Sequence, residues 1–209
     1  MKLAMTLLVK NEIDIIKDHI EYHLSKVDFL IVMDNCSTDG TFEYLQSIKS
    51  NKLVLLIQAS QNYNQCAWVT RMVNCTIQLG ADWVINSDAD EFFIGDLKTV
   101  ISKFANEGFN QIYPKGSMFY ITDSKSNSIR NMIYRDPLTV KYSHDKVIHS
   151  TDGFSKVLPG NHWAEFHSIV KKNIVHTDEI RIFHYHVRSW EQFKNRYVGL
   201  KKYEIVSGL

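Results

Sequence analysis

The stretch Trp83–Phe93, WVINSDADEFF, runs an apolar segment directly into three carboxylates and then returns at once to two phenylalanines. Carboxylates this close in sequence repel one another unless a cation lies between them. The apolar flanks argue against an ordinary solvated run of charges. The stretch therefore predicts a buried strand that ends in an acidic site.

Strands and helices alternate on the N-terminal side of this stretch. Apolar strands are predicted at residues 2–9, 29–34, 53–58 and 82–87. Between the first two, apolar residues recur at the three- and four-residue steps of a helix, at Ile13, Ile16, Ile20, Leu24 and Val27. This alternation predicts a mostly parallel central sheet with helices on both faces.

The second half of the chain follows another pattern. A helix over about 97–107 and a strand at 111–121 are predicted, and short extended segments then alternate with polar turns to about residue 188. A basic helix is predicted over about 190–203. Because no linker is long enough to force a boundary, we expect a single domain over residues 1–209.

Composition limits the class of protein. With 209 residues, of which 44% are hydrophobic, the chain can bury one substantial core, and a formal net charge of +1 gives it no overall attraction to nucleic acid. The three cysteines lack CxxC spacing, which argues against a disulfide framework or a zinc cluster and fits a reducing, cytoplasmic compartment. We expect no signal peptide and no transmembrane segment.

The acidic residues fall where an open α/β sheet binds its ligands, beyond the carboxyl ends of the strands. Asp34 closes the second predicted strand, and Asp88 and Asp90 follow the fourth. In an extended segment Asp88 and Asp90 point to one side and Glu91 to the other. Two carboxylates facing an anionic ligand suit a hard divalent cation, Mg²⁺ or Mn²⁺, shared with phosphate. Alternatively, the two aspartates cap the next helix or lie on a solvated turn.

Four segments together resemble a known family. They are LLVKNEIDIIKDHIEYHL (7–24), VMDNCSTDGT (32–41), TRMVNCTIQLGADWVINSDADEFF (70–93) and FHYHVRSWEQF (183–193). In this order they resemble the family 2 glycosyltransferases, GT-A-fold enzymes that transfer sugars from nucleotide sugars, and above all the branch whose DxD motif reads DxDEF. The resemblance implies a Rossmann-like GT-A domain with a nucleotide-sugar-binding half at 1–95 and a smaller, mixed acceptor-side half at 96–209.

The resemblance also implies roles for individual residues. Asp34 would bind the nucleotide base, Asp88 would lie near the ribose and the metal, and Asp90 would hold Mn²⁺ or Mg²⁺. Arg71 matches a basic residue that many members place near the nucleotide or its phosphates. Two further residues, Lys10 and Asn11, end the first predicted strand and could touch the nucleotide, although Asn11 could equally cap the following helix.

A third metal ligand is expected from the segment RIFHYHV (181–187). His184 and His186 share one side of a predicted strand, with Tyr185 on the other. The segment resembles the HY element of GT-A families in which a C-terminal histidine completes the metal site, so we expect His184 to be the ligand, with His186 behind it. The alternative is a histidine that is simply hydrogen-bonded within the sheet.

The catalytic base is not assigned by the resemblance, because the ED pair and the (Q/R)xxRW motif of processive relatives are absent, which argues against polysaccharide synthesis. The candidates are Asp136, Asp145, His162, Glu165, Asp178 and Glu179. We expect Glu165, with His162 beside it, because GNHWAEFH (160–167) gathers a carboxylate, two histidines and a tryptophan in a predicted loop. A surface glutamate is the alternative.

The resemblance leads to a functional expectation, the inverting transfer of a hexose or N-acetylhexosamine from a nucleotide sugar, expected to be UDP-linked, to a glycan or glycoconjugate. One rival is a nucleotidyltransferase or sugar-phosphate enzyme, which usually carries an N-terminal Gly-rich loop that LLVKNEID lacks. Another is a catalytically silent nucleotide- or carbohydrate-binding domain. The basic residues of the last predicted helix could contact an anionic membrane peripherally or form a solvated face.

Overall fold

A computed structural model describes residues 1–59, 62–121, 129–137 and 146–190, together with residues 192 and 194. Its helices are α1 (Ile16–His23), α2 (Thr41–Ser47), α3 (Gln65–Gln78) and α4 (Leu97–Asn106). Its strands are β1 (Leu3–Val9), β2 (Phe29–Asp34), β3 (Leu53–Ile57), β4 (Trp83–Ser87), β5 (Glu91–Ile94), β6 (Gln111–Tyr120), β7 (Tyr134–Arg135), β8 (Ile148–Ser150), β9 (Phe154–Val157), β10 (Ala164–Phe166) and β11 (Ile174–His184).

Nine of these strands form one sheet in the order β3-β2-β1-β4-β8-β6-β11-β5, with β7 paired to β6. Strands β3, β2, β1 and β4 are all parallel. Beyond β4 the sheet becomes mixed, because β8 runs antiparallel to β4 and β6, and β11 runs parallel to β6 but antiparallel to β5. The predicted mostly parallel sheet with a smaller mixed region is confirmed.

The alternating residues of β1 feed two separate cores. Leu3, Met5 and Leu7 are fully buried on one face, in a cluster that also contains Ile16 and Ile20 of α1. On the other face Ala4 packs in a cluster formed mainly by α3 and the short β9–β10 pair. Because successive strand residues point to opposite faces, this double burial explains why every residue of the strand except Thr6 is apolar.

The loop from β1 to α1 differs from the expectation. Asn11 does not cap the helix, which begins at Ile16 after Ile15 with no side-chain cap. Instead Asn11 adopts a left-handed φ of 57°, and its side-chain oxygen accepts a hydrogen bond from the Thr38 amide at 2.8 Å. This contact joins the loops that follow β1 and β2 at the carboxyl edge of the sheet.

Several sequence predictions fall on the margin of the described residues. Of the basic helix predicted over about 190–203, only Trp190, Gln192 and Lys194 are described, all three as helical, so membrane contact through this helix stays a prediction. The base candidate Asp145 also lies outside the described residues. None of the helices in the described ranges combines the length and the hydropathy needed to cross a bilayer.

A buried histidine makes the fold sensitive to acid. His149 on β8 is fully buried, with one ring nitrogen 3.0 Å from the Asn86 side-chain amide and the other 2.9 Å from the Ser150 carbonyl. Burial lowers the pKa of His149 to about 4. Between pH 6.5 and pH 4, His149 is protonated in the unfolded chain but not in the folded chain. The free energy of unfolding therefore decreases as the pH falls through this range. We expect this residue to cost about 2 to 3 kcal/mol between pH 7 and pH 4.5.

The measurement is urea unfolding at both pH values. His149→Gln, which keeps hydrogen-bonding capacity but cannot be protonated, should lose less stability on acidification than the unmodified chain. His176→Gln, at an exposed histidine on β11, is the control. Equal acid sensitivity of His149→Gln and the unmodified chain would show that the pKa of His149 is the same in the folded and unfolded states, which would contradict the prediction.

Candidate active site

A cavity of about 680 Å³ opens at the carboxyl ends of β1, β2 and β4. Its lining includes Lys10 and Glu12 after β1, Asn35 after β2, and Asp88 to Glu91 after β4. The 3₁₀ turn before β10 and the end of β11 close the other side. This volume lies within the range of small-molecule sites, and the position is the one expected for a ligand of an open α/β sheet.

The DADE segment is a tight turn rather than an extended strand. Its Glu91 amide donates to the Asp88 carbonyl at 3.1 Å, and β5 begins at once. The expectation that Asp88 and Asp90 share one side, with Glu91 opposite, is therefore wrong. Asp88 and Glu91 face a common partner, Lys146, whereas Asp90 faces the end of β11.

Asp90 meets two histidines. One Asp90 carboxylate oxygen lies 3.4 Å from His184 Nε2 and 3.9 Å from His186 Nδ1, and the three ligand atoms lie within 4.8 Å of one another. The backbone holds this geometry, because His184 pairs in register with Glu91 and the Tyr185 amide donates to the Asp90 carbonyl at 2.8 Å. Tyr185 itself packs against Phe92 and Phe119, so the two histidines share a side as the alternation predicts.

The charges of this group support one another. Burial by itself would raise the pKa of Asp90, but the hydrogen bond and charge of His184 and the Arg188 guanidinium hold it well below its usual range. Burial opposes protonation of His184, yet the Asp90 carboxylate raises the pKa of that imidazole overall. The carboxylate is thus ionised and presented to whatever cation enters.

The donor set restricts the ion. Two imidazoles beside one carboxylate favour a transition ion over Mg²⁺, which prefers oxygen ligands. None of the three cysteines lies at this group. Mn²⁺ is accommodated by mixed nitrogen and oxygen ligands, and open positions would remain for oxygens of a bound substrate.

Asp88 belongs to a different cluster. Lys146 Nζ lies 2.5 Å from one Asp88 oxygen and 3.3 Å from Glu91 Oε1, and Asn161 Nδ2 donates to the other Asp88 oxygen at 3.2 Å. Burial raises the pKa of Glu91, and the Asp88 charge adds to this while Lys146 opposes it. Sequence reasoning missed Lys146 because it stands 58 residues after Asp88, and the single available signal was a lysine at the start of the apolar segment KVIH.

A buried arginine joins the two ends of the described chain. Arg188 donates to Glu12 at 2.6 Å and to Asp14 at 2.7 and 3.0 Å, and lies 3.7 Å from Asp90. Burial raises the pKa of Glu12 to about 7 although Arg188 opposes the shift. Arg188 lies in the segment FHYHVRSWEQF, and nothing in that local pattern indicates its distant partners.

Of the residues Asp34, Lys10 and Arg71, which are expected to contact the nucleotide, only Lys10 is in the cavity lining. Asp34 is buried at the end of β2, where one oxygen accepts from the Ser37 amide at 2.9 Å and the other has no hydrogen-bond partner among the described residues. Lys10 lines the cavity. Arg71 lies on the exposed face of α3 and is not part of the lining, because the buried stripe of that helix runs through Trp68 and Met72.

The two base candidates separate. His162 lines the cavity, beside the exposed indole of Trp163. Glu165 lies in β10 rather than in a loop, and its carboxylate pairs with Lys156 at 3.2 Å outside the cavity lining. Strand alternation turns Glu165 away between the buried Ala164 and Phe166, so the structure does not bring this expected base to the site.

Comparison with known proteins gives similarity of structure only. No family model and no curated protein matches the chain. HddC from Yersinia pseudotuberculosis has a TM-score of 0.50 at 12% identity, with 93% of this chain and 97% of that chain covered. The S. aureus TarS 1-349 structure has a TM-score of 0.48 at 18% identity, covering 59% of this chain. Glucosyl-3-phosphoglycerate synthase from Mycobacterium tuberculosis, solved with Mn²⁺ and UDP, has a TM-score of 0.42 at 17% identity, covering 55%.

The matched part spans 39% of the TarS 1-349 chain and 44% of the synthase chain. The HddC similarity extends over nearly all of both chains and therefore concerns the whole arrangement of sheet and helices. That arrangement combines a parallel β3-β2-β1-β4 unit with a mixed extension through β8, β6, β11 and β5. The chain has a GT-A-like α/β fold, the fold of the family 2 glycosyltransferases that its sequence resembles.

Proposed function

We propose that the chain is a metal-dependent glycosyltransferase that moves a hexose or N-acetylhexosamine from a nucleotide sugar, UDP-linked, to a glycan or glycoconjugate. The observation that carries this proposal is the group formed by Asp90, His184 and His186 in the cavity wall. A cation ligated there would stand at the carboxyl edge of the sheet, where a nucleotide diphosphate can reach it. The sequence resemblance supports the same reaction.

We propose that Asp34 binds the nucleotide base; it is not itself in the cavity lining, but the next residue, Asn35, is. A buried carboxylate oxygen without a partner among the described residues is costly, and an N–H group of a nucleotide base would satisfy it. Lys10, which lines the same cavity, would supply a cation for the diphosphate. Asp88 is available to hydroxyl groups of the donor, since its side chain keeps 36% of its surface exposed.

The chemistry assigns one further role. An acceptor oxygen attacks the anomeric carbon, the bond from that carbon to the phosphate oxygen breaks with its electron pair, and the acceptor proton must be removed. His162 is the base that we propose, because it lines the cavity whereas Glu165 does not. A divalent ion would supply charge that stabilises the departing diphosphate. Inversion at the anomeric carbon is part of the proposal.

The test measures release of UDP from a panel of UDP-sugars with and without Mn²⁺. For any sugar that is released, the rate is then measured as a function of Mn²⁺ concentration. In His184→Ala and His186→Ala the Mn²⁺ concentration for half-maximal release should rise about 10- to 100-fold, because each loses one ligand. His167→Ala, at an exposed histidine outside the cavity lining, is the control.

Two results would contradict the proposal. UDP-sugars that raise the melting temperature without any release of UDP would indicate a silent binding domain. An unchanged Mn²⁺ requirement in both histidine variants would show that neither His184 nor His186 is a ligand of the metal.

A further inference from the structure

Lys146 is a buried cation in the wall of the cavity. Its side chain is 3% exposed, and it lies two residues before β8, next to the turn between β4 and β5. Three oxygens surround its ammonium group: Asp88 Oδ2 at 2.5 Å, the Gly160 carbonyl at 2.8 Å and Glu91 Oε1 at 3.3 Å. The contacts with Asp88 and the Gly160 carbonyl are hydrogen bonds, and Glu91 adds an ion pair.

These oxygens resemble the ligands of a hard metal ion. Two carboxylates and a backbone carbonyl are the groups that bind divalent cations in proteins. Two carboxylates that share a buried place need a cation to offset their repulsion. In this protein the ammonium group fills the space between Asp88 and Glu91. Burial by itself would lower the pKa of Lys146, but the two carboxylates raise it overall and keep the group protonated.

Asp88 is also held from its other side. Asn161 donates to the second Asp88 oxygen at 3.2 Å, so each oxygen of Asp88 already has a partner within the protein. Asp90 by contrast faces His184, His186 and Arg188. The two aspartates of the DxD motif therefore belong to two separate charge clusters, one neutralised by a fixed lysine and the other open to a metal.

We propose that Lys146 is a built-in cation that keeps Asp88 and Glu91 from binding a divalent ion and so limits the site to one metal. Held in this way, Asp88 is reserved as a hydrogen-bond acceptor for the substrate. The inference rests on the proposed function, since it assigns the single ion to Asp90 and the two histidines. It predicts that removing the ammonium group, and nothing else, creates a second metal site.

The experiment counts bound Mn²⁺ by equilibrium dialysis and electron paramagnetic resonance in the full chain. The unmodified chain and Lys146→Arg, which keeps the positive charge, should bind one ion. Lys146→Met should bind a second, weaker ion that disappears when Asp88→Asn is added. Mn²⁺ should also raise the melting temperature of Lys146→Met more than that of the unmodified chain. Lys156→Met, which removes the exposed lysine paired with Glu165, is the matched control and should behave like the unmodified chain.

A second variant covers the case in which Lys146→Met does not fold. Asp88→Asn alone, nearly isosteric, should keep the Mn²⁺ affinity of the unmodified chain within about twofold, whereas metal ligation by Asp88 would cost about 10-fold or more. That larger loss, or a single ion with unchanged affinity in folded Lys146→Met, would overturn the inference. If the unmodified chain binds no Mn²⁺ but Lys146→Met binds one ion, the proposed function fails and the role of Lys146 stands. If neither binds Mn²⁺, both are overturned.

Discussion

Replacing Asp90 with asparagine should abolish release of UDP and weaken Mn²⁺ binding by at least about 100-fold, beyond what loss of a residue supporting a ligand typically costs. The reason is that Asp90 is the carboxylate shared by His184 and His186, and these histidines and Arg188 keep it ionised although burial opposes this. Asparagine has the same size and keeps one oxygen for hydrogen bonding, but it presents no charge to a metal.

Metal titration by calorimetry and a coupled UDP assay measure the two effects, and the melting temperature shows whether the variant folds. Asp178→Asn is the control, because Asp178 is a largely exposed carboxylate on β11 outside the cavity lining. An Asp90→Asn protein that keeps turnover within about tenfold of the unmodified chain would be incompatible with a catalytic metal at this place.

Arg188→Met should lower the free energy of unfolding by about 3 kcal/mol. The side chain of Arg188 is 3% exposed and carries the cation shared by Glu12, Asp14 and Asp90. Removing one partner of a buried ion cluster leaves the others uncompensated. We expect the lower end of the usual range, because the side chains of Glu12 and Asp14 keep 27% and 39% of their surface in contact with water.

Urea unfolding at pH 7 measures the change. Arg130→Met is the matched control, since Arg130 pairs with Asp18 at 2.8 Å but is 75% exposed, and it should cost below about 1 kcal/mol. Equal losses in the two variants would mean that the cluster around Arg188 contributes no more than a surface ion pair. Arg188→Lys should recover part of the loss, because it restores the charge but not the paired hydrogen bonds to Asp14.

The parallel part of the sheet could be predicted from sequence because each of its strands has a recognisable local pattern of apolar residues. Strands β1, β2 and β4 are buried on both faces and so appear as short, continuously apolar segments bounded by turns. Asp34 closes β2 and Asp90 follows β4, so the same local patterns predict that both lie at the carboxyl edge of the sheet. The pairing of β11 between β6 and β5 joins distant parts of the chain and leaves no local pattern.

The partners within the site were harder to predict for the same reason. An extended DADE segment would separate Glu91 from both aspartates, but one turn at residues 88–90 brings Glu91 and Asp88 together instead. Lys146 meets Asp88 across 58 residues, and Arg188 meets Asp14 across 174 residues. Glu165 is predicted as the base because histidines and a tryptophan lie near it in sequence. Strand alternation in β10 instead points its side chain away from the cavity.

The place of β11 between β6 and β5 bears on how the protein matures during synthesis. In the described sheet β5 pairs with no strand other than β11, and the register matches Phe93 with Ile182. Until that late segment leaves the ribosome, β5 has no partner and β6 keeps an open edge, and such edges invite association with other chains. The same segment carries His184 and His186, so the sheet closes and the proposed metal ligands arrive together. A nascent chain that stalls before this point would keep both edges open and would lack those ligands.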